Sequence, residues 1–224
     1  MPKVKVKICG ITNWTDARRA IAGGANFLGF NFYSGSPRYI EPVKARKIVE
    51  RLPKSISTVG VFVNETEDKI LEIARSVGLH YLQLHGNESA ATVAHLKRSL
   101  PVIKAIRVQR PFRASQLGRF KNANALLLDG FDSTQWGGTG RTFDWKVAKR
   151  AAARRRIFLA GGLTPGNVAQ AIRAAEPYAV DVCSGVEASP GKKDPARLKA
   201  FLHATSEAQR KASRPERKLE NKKR

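Results

Sequence analysis

The feature that most constrains this chain is a regular alternation of short apolar runs with amphipathic stretches. Runs rich in β-branched and apolar residues indicate strands, whereas apolar residues spaced three and four apart indicate helices. The predicted strands cover residues 4–8, 27–32, 59–63, 81–84, 102–108, 125–128, 157–160 and 179–182. A helical stretch follows each strand, and the last helix is predicted over residues 195–205.

This alternation predicts a parallel sheet with crossover helices. Eight strand–helix units within about 205 residues predict a (β/α)8 TIM barrel, formed by residues 1–205 as a single domain. An open doubly wound sheet is the alternative architecture. No GxGxxG pattern follows the first predicted strand, which counts against a dinucleotide-binding sheet.

The charge of the chain is unusual for a globular protein. Lys and Arg number 41 against 18 Asp and Glu, a net charge of +23. Such a surplus is typical of proteins that meet nucleic acid, an acidic surface or phosphorylated ligands, and a solubility adaptation is the alternative. We expect non-specific attraction to polyanions, a small phosphorylated substrate and no specific nucleic acid; the sequence does not indicate an oligomeric state.

The residues after 205 differ in composition from the rest. Residues 206–224 hold eight basic and three acidic residues, a net +5, and Leu219 is their one large aliphatic residue. This composition predicts a basic tail that is either a frayed helix or disordered. The barrel keeps +18, so the tail does not account for the surplus.

Compartment and metal content follow from the cysteines and from hydropathy. Cys9 and Cys183 cannot build a disulfide framework, which is typical of a reducing compartment. The first residues lack a secretory pattern, and no stretch approaches the length of a membrane span, so we expect a cytoplasmic protein. No Cys/His cluster has zinc spacing, and no metal is predicted.

Polar, reactive or glycine residues follow nearly every predicted strand. In a barrel of this type the chemistry gathers at the carboxyl ends of the strands. The residues at these ends are Cys9, Arg38, Asn64, His85, Arg107, Asp129, Gly161 and Ser184. A barrel without an active site has no need of such a ring.

Glycines form three clusters, at residues 137–140, 161–162 and 184–185, after the last three strands. Backbone N–H groups beside glycine approach a phosphate closely, and loops after strands seven and eight often hold one. Any one cluster is explained by a tight turn. Three clusters on one rim predict phosphate binding.

Cys9 and Asp129 form the predicted acid–base pair. Cys9 follows the first strand, where a thiolate would act as base or nucleophile; the alternative is a buried thiol that serves as a small hydrophobic residue. Asp129 ends an apolar run, a setting that favours an acid role, and a turn or cap role is the alternative. Because they follow strands one and six, the two side chains are predicted to face each other across the mouth.

Two further residues are candidates for ligand contacts. Arg38 is predicted to bind a carboxylate or phosphate with two parallel hydrogen bonds, unless it is one solvated cation among many. His85 either contacts the ligand or is a hydrogen-bonded residue at a strand end.

Eight motifs occur in a fixed order along the chain. They are KICGIT (7–12), GFNFYSGSPRYI (29–40), VGVFVN (59–64), QLHG (83–86), LLLD (126–129), GGTGRTFDW (137–145), AGGLTPGNV (160–168) and VDVCSGVEASPGKKD (180–194). In this order and spacing they resemble the phosphoribosylanthranilate isomerase family, and the resemblance covers residues 3–202.

The resemblance implies an Amadori rearrangement in tryptophan biosynthesis. N-(5-phosphoribosyl)anthranilate would become 1-(2-carboxyphenylamino)-1-deoxyribulose 5-phosphate. Asp129 would protonate the furanose ring oxygen, and the Cys9 thiolate would remove the C2 proton of the resulting Schiff base. No cofactor or metal is implied, because the anthranilate nitrogen acts as the electron sink.

The resemblance also implies the binding residues. Arg38 matches the arginine near the anthranilate carboxylate, His85 the histidine of strand four, and Asp181 an acidic residue that faces the interior. Cys183 stands where the family more often has Ser. The phosphate site maps to Gly138, Gly140, Gly161, Gly162, Ser184 and Gly185.

Two other functions compete with this interpretation. One is another phosphosugar barrel, such as a histidine-pathway ketol isomerase or a pentose phosphate epimerase, but those do not place Cys after the first strand. The other is a basic barrel that binds nucleic acid and has lost catalysis. Cys9, Asp129 and the three glycine clusters are all present, which counts against such a loss.

Overall fold

The structure, a computed structural model, describes residues 3–108, 115–130 and 145–213. Eight parallel strands form a closed barrel in sequence order, and β1 pairs with β8 to complete it. The predicted TIM barrel is therefore confirmed, and the open sheet is excluded. The strands are β1 (Lys5–Ile8), β2 (Phe27–Asn31), β3 (Ser57–Phe62), β4 (Tyr81–Leu84), β5 (Val102–Val108), β6 (Ala125–Gly130), β7 (Ile157–Leu159) and β8 (Ala179–Val182).

Helices alternate with the strands and surround the barrel. Three of them begin at a polar cap, Asn13, Thr66 or Ser89, whose side-chain oxygen accepts a backbone N–H from the first turn. The described helices are α1 (Trp14–Ala22), α2 (Pro42–Val49), α3 (Glu67–Val77), α4 (Ala90–Leu96), α5 (Ser115–Gly118), α6 (Trp145–Ala152), α7 (Val168–Ala175) and α8 (Pro195–Ser213).

A small hairpin separates β8 from the last helix. A 3₁₀ turn (Ser184–Val186) leads into the antiparallel strands β9 (Glu187–Ser189) and β10 (Lys192–Lys193). The backbone N–H of Lys193 donates to the buried Asp16 at the start of α1. This bond ties the hairpin to the loop after β1, so that the hairpin lies beside the mouth.

The buried apolar residues form two layers. The larger cluster joins residues of the strands to residues of the helices, such as Leu28 with Ala17 and Ile70, and fills the space outside the barrel. The smaller cluster comes from the strands and their ends, including Phe27, Val59 and Phe158, and fills the interior. Alternate residues of each strand thus face opposite layers, which places every second residue inside the barrel.

The final helix is longer than the sequence predicts. α8 continues to Ser213, Ala208 is buried, and the Gln209 side chain donates to the backbone oxygen of Val4 at 2.8 Å. Of the two predicted alternatives, residues 206–213 form a helix and are not disordered, because one small apolar residue and one amide are enough to dock this last part of the helix. Residues 214–224 lie outside the described residues, and their disorder stays a prediction.

None of the helices within the described ranges combines the length and the apolar character that a membrane span requires.

Candidate active site

The inward-facing residues of β1 and β8 form the floor of the site. The register pairs Lys7 with Asp181, and the Lys7 ammonium lies 3.0 Å from the Asp181 carboxylate. The backbone N–H of Cys9 continues the ladder to Val182. Cys9 and Cys183 follow one level higher on the same inward faces, because side chains alternate along a strand.

Cys9 and Cys183 form a hydrogen-bonded thiol pair at the barrel mouth, where both residues are partly exposed. The hydrogen bond with Cys183 lowers the pKa of Cys9 well below its ordinary value, and the charges of Lys7 and Lys193 lower it further against the opposing effect of burial. The same hydrogen bond raises the pKa of Cys183. Cys183 therefore keeps its proton, and its Sγ atom also lies 3.7 Å from the Glu187 carboxylate, which can accept it.

Asp129, at the end of β6, is contacted by His85, which follows β4. The His85 Nε2 atom lies 3.3 Å from the Asp129 carboxylate, and His85 Nδ1 is 2.9 Å from the Gln83 side chain. The Asp129 side chain is 33% exposed, so it opens to the mouth rather than to an apolar interior. The apolar setting expected from the sequence is wrong, because only the preceding residues of β6 point into the core.

Asp181 is a buried carboxylate near both members of the predicted acid–base pair. Burial raises the pKa of Asp181 to about 6, Cys9 and Asp129 add to the rise, and Lys7 opposes it. Because the negative charges of Cys9 and Asp129 both act on Asp181, the three acidic groups share one end of the barrel. The prediction that Cys9 and Asp129 face each other across the mouth is consistent with this electrostatic coupling.

Arg38 is held by a carboxylate of the protein itself. Its Nε and Nη2 atoms donate to Glu187 at 2.7–3.0 Å, and Lys193 donates to the same carboxylate at 2.9 Å. Burial would raise the pKa of Glu187, but the hydrogen bond from Arg38 and the charge of Lys193 hold it below its usual range. Arg38 thus enters the site as an oriented cation rather than a solvated one.

The loops after β7 and β8 are packed against each other and against β6. Gly161 has φ +81°, and a Cβ there would lie 2.1 Å from the Gly130 nitrogen. A Cβ at Gly185 would lie 1.9 Å from the backbone oxygen of Leu163. Both positions therefore need glycine for close approach. The predicted phosphate residues Gly161, Gly162, Ser184 and Gly185 lie in these loops, whereas Gly138 and Gly140 lie outside the described residues.

A second buried ion pair joins the ends of β3, β4 and β5. The Lys104 ammonium is 2.9 Å from Glu88 and donates to the backbone oxygens of Leu84 and Gly86. Glu88 also accepts the backbone N–H groups of Asn64 and Gly86. Asn64 and the loop carrying His85 are therefore braced by this pair, and Asn64 serves the loop structure.

Lys7, Glu187 and Lys193 are charged residues of the site that the sequence interpretation missed. The alternation along β1 contains the signal for Lys7, since it shares a face with Cys9. Glu187 and Lys193 carry no comparable signal, because their position depends on the hairpin β9–β10. Among residues 3–108, 115–130 and 145–213, no three His, Cys, Asp or Glu side chains are arranged to hold a metal.

Comparisons with known proteins agree on one family. The sequence profile of the family described as N-(5'phosphoribosyl)anthranilate (PRA) isomerase matches residues 6–204. The N-(5'-phosphoribosyl)anthranilate isomerase of Pelobacter propionicus is 46% identical over 211 residues, 94% of this chain and 100% of that protein. The one from Neisseria gonorrhoeae is 46% identical over 203 residues, 90% of this chain and 96% of that protein.

Two solved structures show the same similarity. The phosphoribosyl anthranilate isomerase of Thermotoga maritima superposes with a TM-score of 0.86 at 42% identity, over 91% of this chain and 99% of that one. A phosphoribosyl anthranilate isomerase in complex with reduced 1-(o-carboxyphenylamino)-1-deoxyribulose 5-phosphate superposes with a TM-score of 0.82 at 41% identity, over the same shares of the two chains.

Proposed function

The chain belongs to the N-(5'-phosphoribosyl)anthranilate isomerase family, and we propose that the barrel mouth around Cys9 and Asp129 is its active site. The enzyme is an aldose–ketose isomerase of tryptophan biosynthesis. It converts N-(5'-phosphoribosyl)anthranilate to 1-(o-carboxyphenylamino)-1-deoxyribulose 5-phosphate, without net oxidation. The observation that carries the assignment of the site is the position of Cys9, directly after β1 and one level above the buried ion pair of Lys7 and Asp181.

Cys9 is the proposed base of this rearrangement. Once the furanose ring is open, the substrate is a protonated Schiff base with an acidic proton on C2. The Cys9 thiolate takes that proton. The electron pair of the C–H bond forms a double bond between C2 and the Schiff-base carbon, and the π pair of the C=N bond moves to nitrogen. The resulting enolamine then tautomerises to the ketone. The lowered pKa of Cys9 supports this role, because a thiolate must be present near neutral pH.

Asp129 is the proposed acid that opens the ring. Its carboxyl group would protonate the furanose ring oxygen while the anthranilate nitrogen supplies the electron pair that breaks the C1–O bond. His85 contacts the Asp129 carboxylate and is itself held by Gln83, so it orients the Asp129 carboxyl group. The partial exposure of Asp129 supports this role, since the carboxyl group must meet a bound sugar.

The remaining contacts hold the two ends of the substrate. Arg38, oriented by Glu187, would bind the anthranilate carboxylate through the part of its guanidinium that does not face Glu187. The backbone of the loops carrying Gly161, Gly162, Ser184 and Gly185, with Gly138 and Gly140, would bind the phosphate. Asp181 would contact the sugar from the floor. We further propose that the reaction needs no cofactor or metal and takes place in the cytoplasm.

A protection experiment tests the assignment of the site. We expect iodoacetamide to abolish isomerase activity, followed as the loss of substrate fluorescence, in step with alkylation of Cys9. The reduced product analogue should slow both, because it covers the mouth. Cys183→Ser is the control for the second thiol: its loss of activity should still follow alkylation of Cys9, even if the rate changes because the Cys183 hydrogen bond to Cys9 is altered. Complete alkylation of Cys9 with activity retained would place the base elsewhere.

A further inference from the structure

Lys7 is a buried cation that the proposed reaction does not use. It lies on β1 inside the barrel and is fully buried. An ammonium taken out of water is costly unless a charged partner compensates it. Asp181, at 3.0 Å, is one such partner.

Lys7 also lies next to Cys9. A Cβ placed on Gly29 would be 2.8 Å from the Cys9 sulfur and 3.2 Å from the Cε atom of Lys7. The missing side chain at Gly29 thus leaves room for both groups at one point of the interior. A single buried cation therefore faces two groups that can carry negative charge.

The ionisation of the two partners is consistent with a shared cation. Burial would lower the pKa of Lys7, but Asp181 and Cys9 together raise it above its ordinary value. Asp181 keeps a raised pKa, about 6, even though it contacts the ammonium directly. Burial is the largest cause of this rise, and the charge of Cys9 adds to it against the opposing charge of Lys7.

We propose that Lys7 is a positioning residue that holds Cys9 as the thiolate, and that Asp181 competes with Cys9 for its charge. This inference rests on the proposed role of Cys9 as the base. It assigns opposite effects to two neighbours: Lys7 favours the thiolate, and an ionised Asp181 disfavours it.

The other charged and titratable groups around Cys9 come from three further elements. Cys183 follows β8, Lys193 lies on β10, and Arg38 belongs to the loop after β2. Glu187 acts on Cys183 and is neutralised by Arg38 and Lys193. These groups stay in place when Lys7 or Asp181 is replaced, so a change in the titration of Cys9 reports on those two residues.

Alkylation of Cys9 by iodoacetamide as a function of pH tests the proposal. The rate follows the thiolate fraction, and mass spectrometry of the peptide containing Cys9 separates it from Cys183. We expect Lys7→Met to move the inflection to higher pH by about one unit or more, and to slow alkylation by about tenfold at pH values below both inflections. Lys104→Met is the matched control: Lys104 is another buried barrel lysine with a carboxylate partner, and its replacement should leave the Cys9 inflection unchanged.

Asp181→Asn provides a second test of the proposal, which does not require that Lys7→Met folds. Removing the competing carboxylate should move the Cys9 inflection to lower pH, opposite to the effect of Lys7→Met. A shift of both variants in the same direction, or no shift in either, would overturn the proposal. A general disturbance of the barrel has no reason to give opposite signs.

The pH dependence of kcat separates this proposal from the proposed function. If both hold, the acidic limb of kcat in Lys7→Met moves together with the alkylation inflection. If alkylation shifts and the kcat limb stays, Lys7 controls the Cys9 thiolate, but Cys9 is not the base. If Cys9→Ser is inactive and alkylation is indifferent to Lys7, the base is correct and the positioning role is wrong.

Discussion

Cys9 and Asp129 are distinguished by their neighbours more than by their chemical type. Cys9 has a thiol donor and a buried ammonium beside it, whereas Cys183 has a raised pKa and keeps its proton. Asp129 is half-exposed and held by His85, whereas Asp181 is buried and paired with Lys7. Within each pair of like residues, the proposed acid or base is therefore the one whose neighbours suit that role.

The first prediction concerns the acid and the base. Cys9→Ser and Asp129→Asn should each lower kcat at least about 100-fold, the scale of a general acid or base contribution. A serine hydroxyl does not ionise near neutral pH, and the N–H protons of an amide are far too weakly acidic to be transferred to the ring oxygen. The measurement is the rate of substrate fluorescence loss, with the melting temperature as the control for folding. Near-wild-type turnover in Cys9→Ser would contradict the thiolate role.

Strand-end position was enough to predict these residues from the sequence, but not their partners. Cys9, Asp129 and Arg38 each follow or leave a strand that the apolar pattern reveals. Lys7 was missed although it alternates with Cys9, because a lysine within a strand is ordinarily solvated. The role of Glu187 cannot be predicted from the sequence pattern, because its contact with Arg38 joins residues 149 positions apart.

At the scale of the elements, the loops of the mouth are braced in two separate groups. Glu88 and Lys104 join the loops after β3 and β4 to β5, through one ion pair and four backbone contacts. The hairpin β9–β10 joins the loop after β8 to α1 through Lys193 and Asp16. Each of these two groups of contacts fixes a loop that carries site residues, so that the loop does not depend on packing in the apolar core.

A pH prediction follows from the first brace. Burial would raise the pKa of Glu88, but the hydrogen bond and charge of Lys104 and the backbone donor at Asn64 lower it below 4.5. A carboxylate with a lowered folded pKa stabilises the fold above its unfolded pKa, and this stability is lost as the pH falls through the folded pKa. Glu88→Gln should lower the free energy of unfolding by about 3 kcal/mol at pH 7. The difference from wild type should shrink as the pH falls below about 4.

The measurement is urea unfolding across that pH range. Glu50→Gln is the control, because its ion pair with Arg46 is exposed on both sides and should change stability by less than about 1 kcal/mol at any pH. An equal loss for the two variants at neutral pH would show that the Glu88 brace is dispensable.

The phosphate loops support a second prediction at this scale. Gly162 has φ +64° and lies in the loop after β7, where the phosphate is proposed to bind. Gly162→Asp should raise KM at least about tenfold, since a carboxylate would meet a phosphate dianion. Gly162→Asn is the matched control, because Asn and Asp tolerate positive φ similarly and differ in charge. An equal KM for the two variants would attribute the effect to shape and count against a phosphate there; Gly138→Asp repeats the test in the loop after β6.

Strand order, strand number and the inner and outer faces were all predictable, because each rests on apolar periodicity. The end of α8 was not, because polar residues dominate residues 206–213 and a single buried alanine does not create a pattern. Docking of that last part includes a contact of Gln209 with Val4, a residue 205 positions away that the sequence pattern does not connect to it. The sequence prediction therefore stopped the domain eight residues too early.

At the scale of the whole molecule, the positive charge is spread over the barrel and not confined to its end. Residues 214–224 hold six basic and two acidic residues, a net +4 out of +23. The phosphorylated substrate gains from this field, because a basic surface raises the encounter rate of an anion. The same field attracts any polyanion, and specificity must then come from the mouth.

The last prediction separates the folded end of the chain from its charge, with two truncations. Removing residues 214–224 should leave the isomerase rate and the melting temperature unchanged, because no described residue of the barrel lies there. Removing residues 206–224 also deletes the buried Ala208 and the Gln209 hydrogen bond, and should cost about 1–2 kcal/mol of stability.

Both truncations should elute from heparin at lower salt than the full chain, and their binding should depend less steeply on salt, because fewer phosphates are neutralised. Since most of the charge stays on the barrel, binding should weaken without vanishing. Loss of isomerase activity in the shorter deletion would place the last residues in the enzyme, and unchanged heparin elution would show that their charge is not an interaction surface.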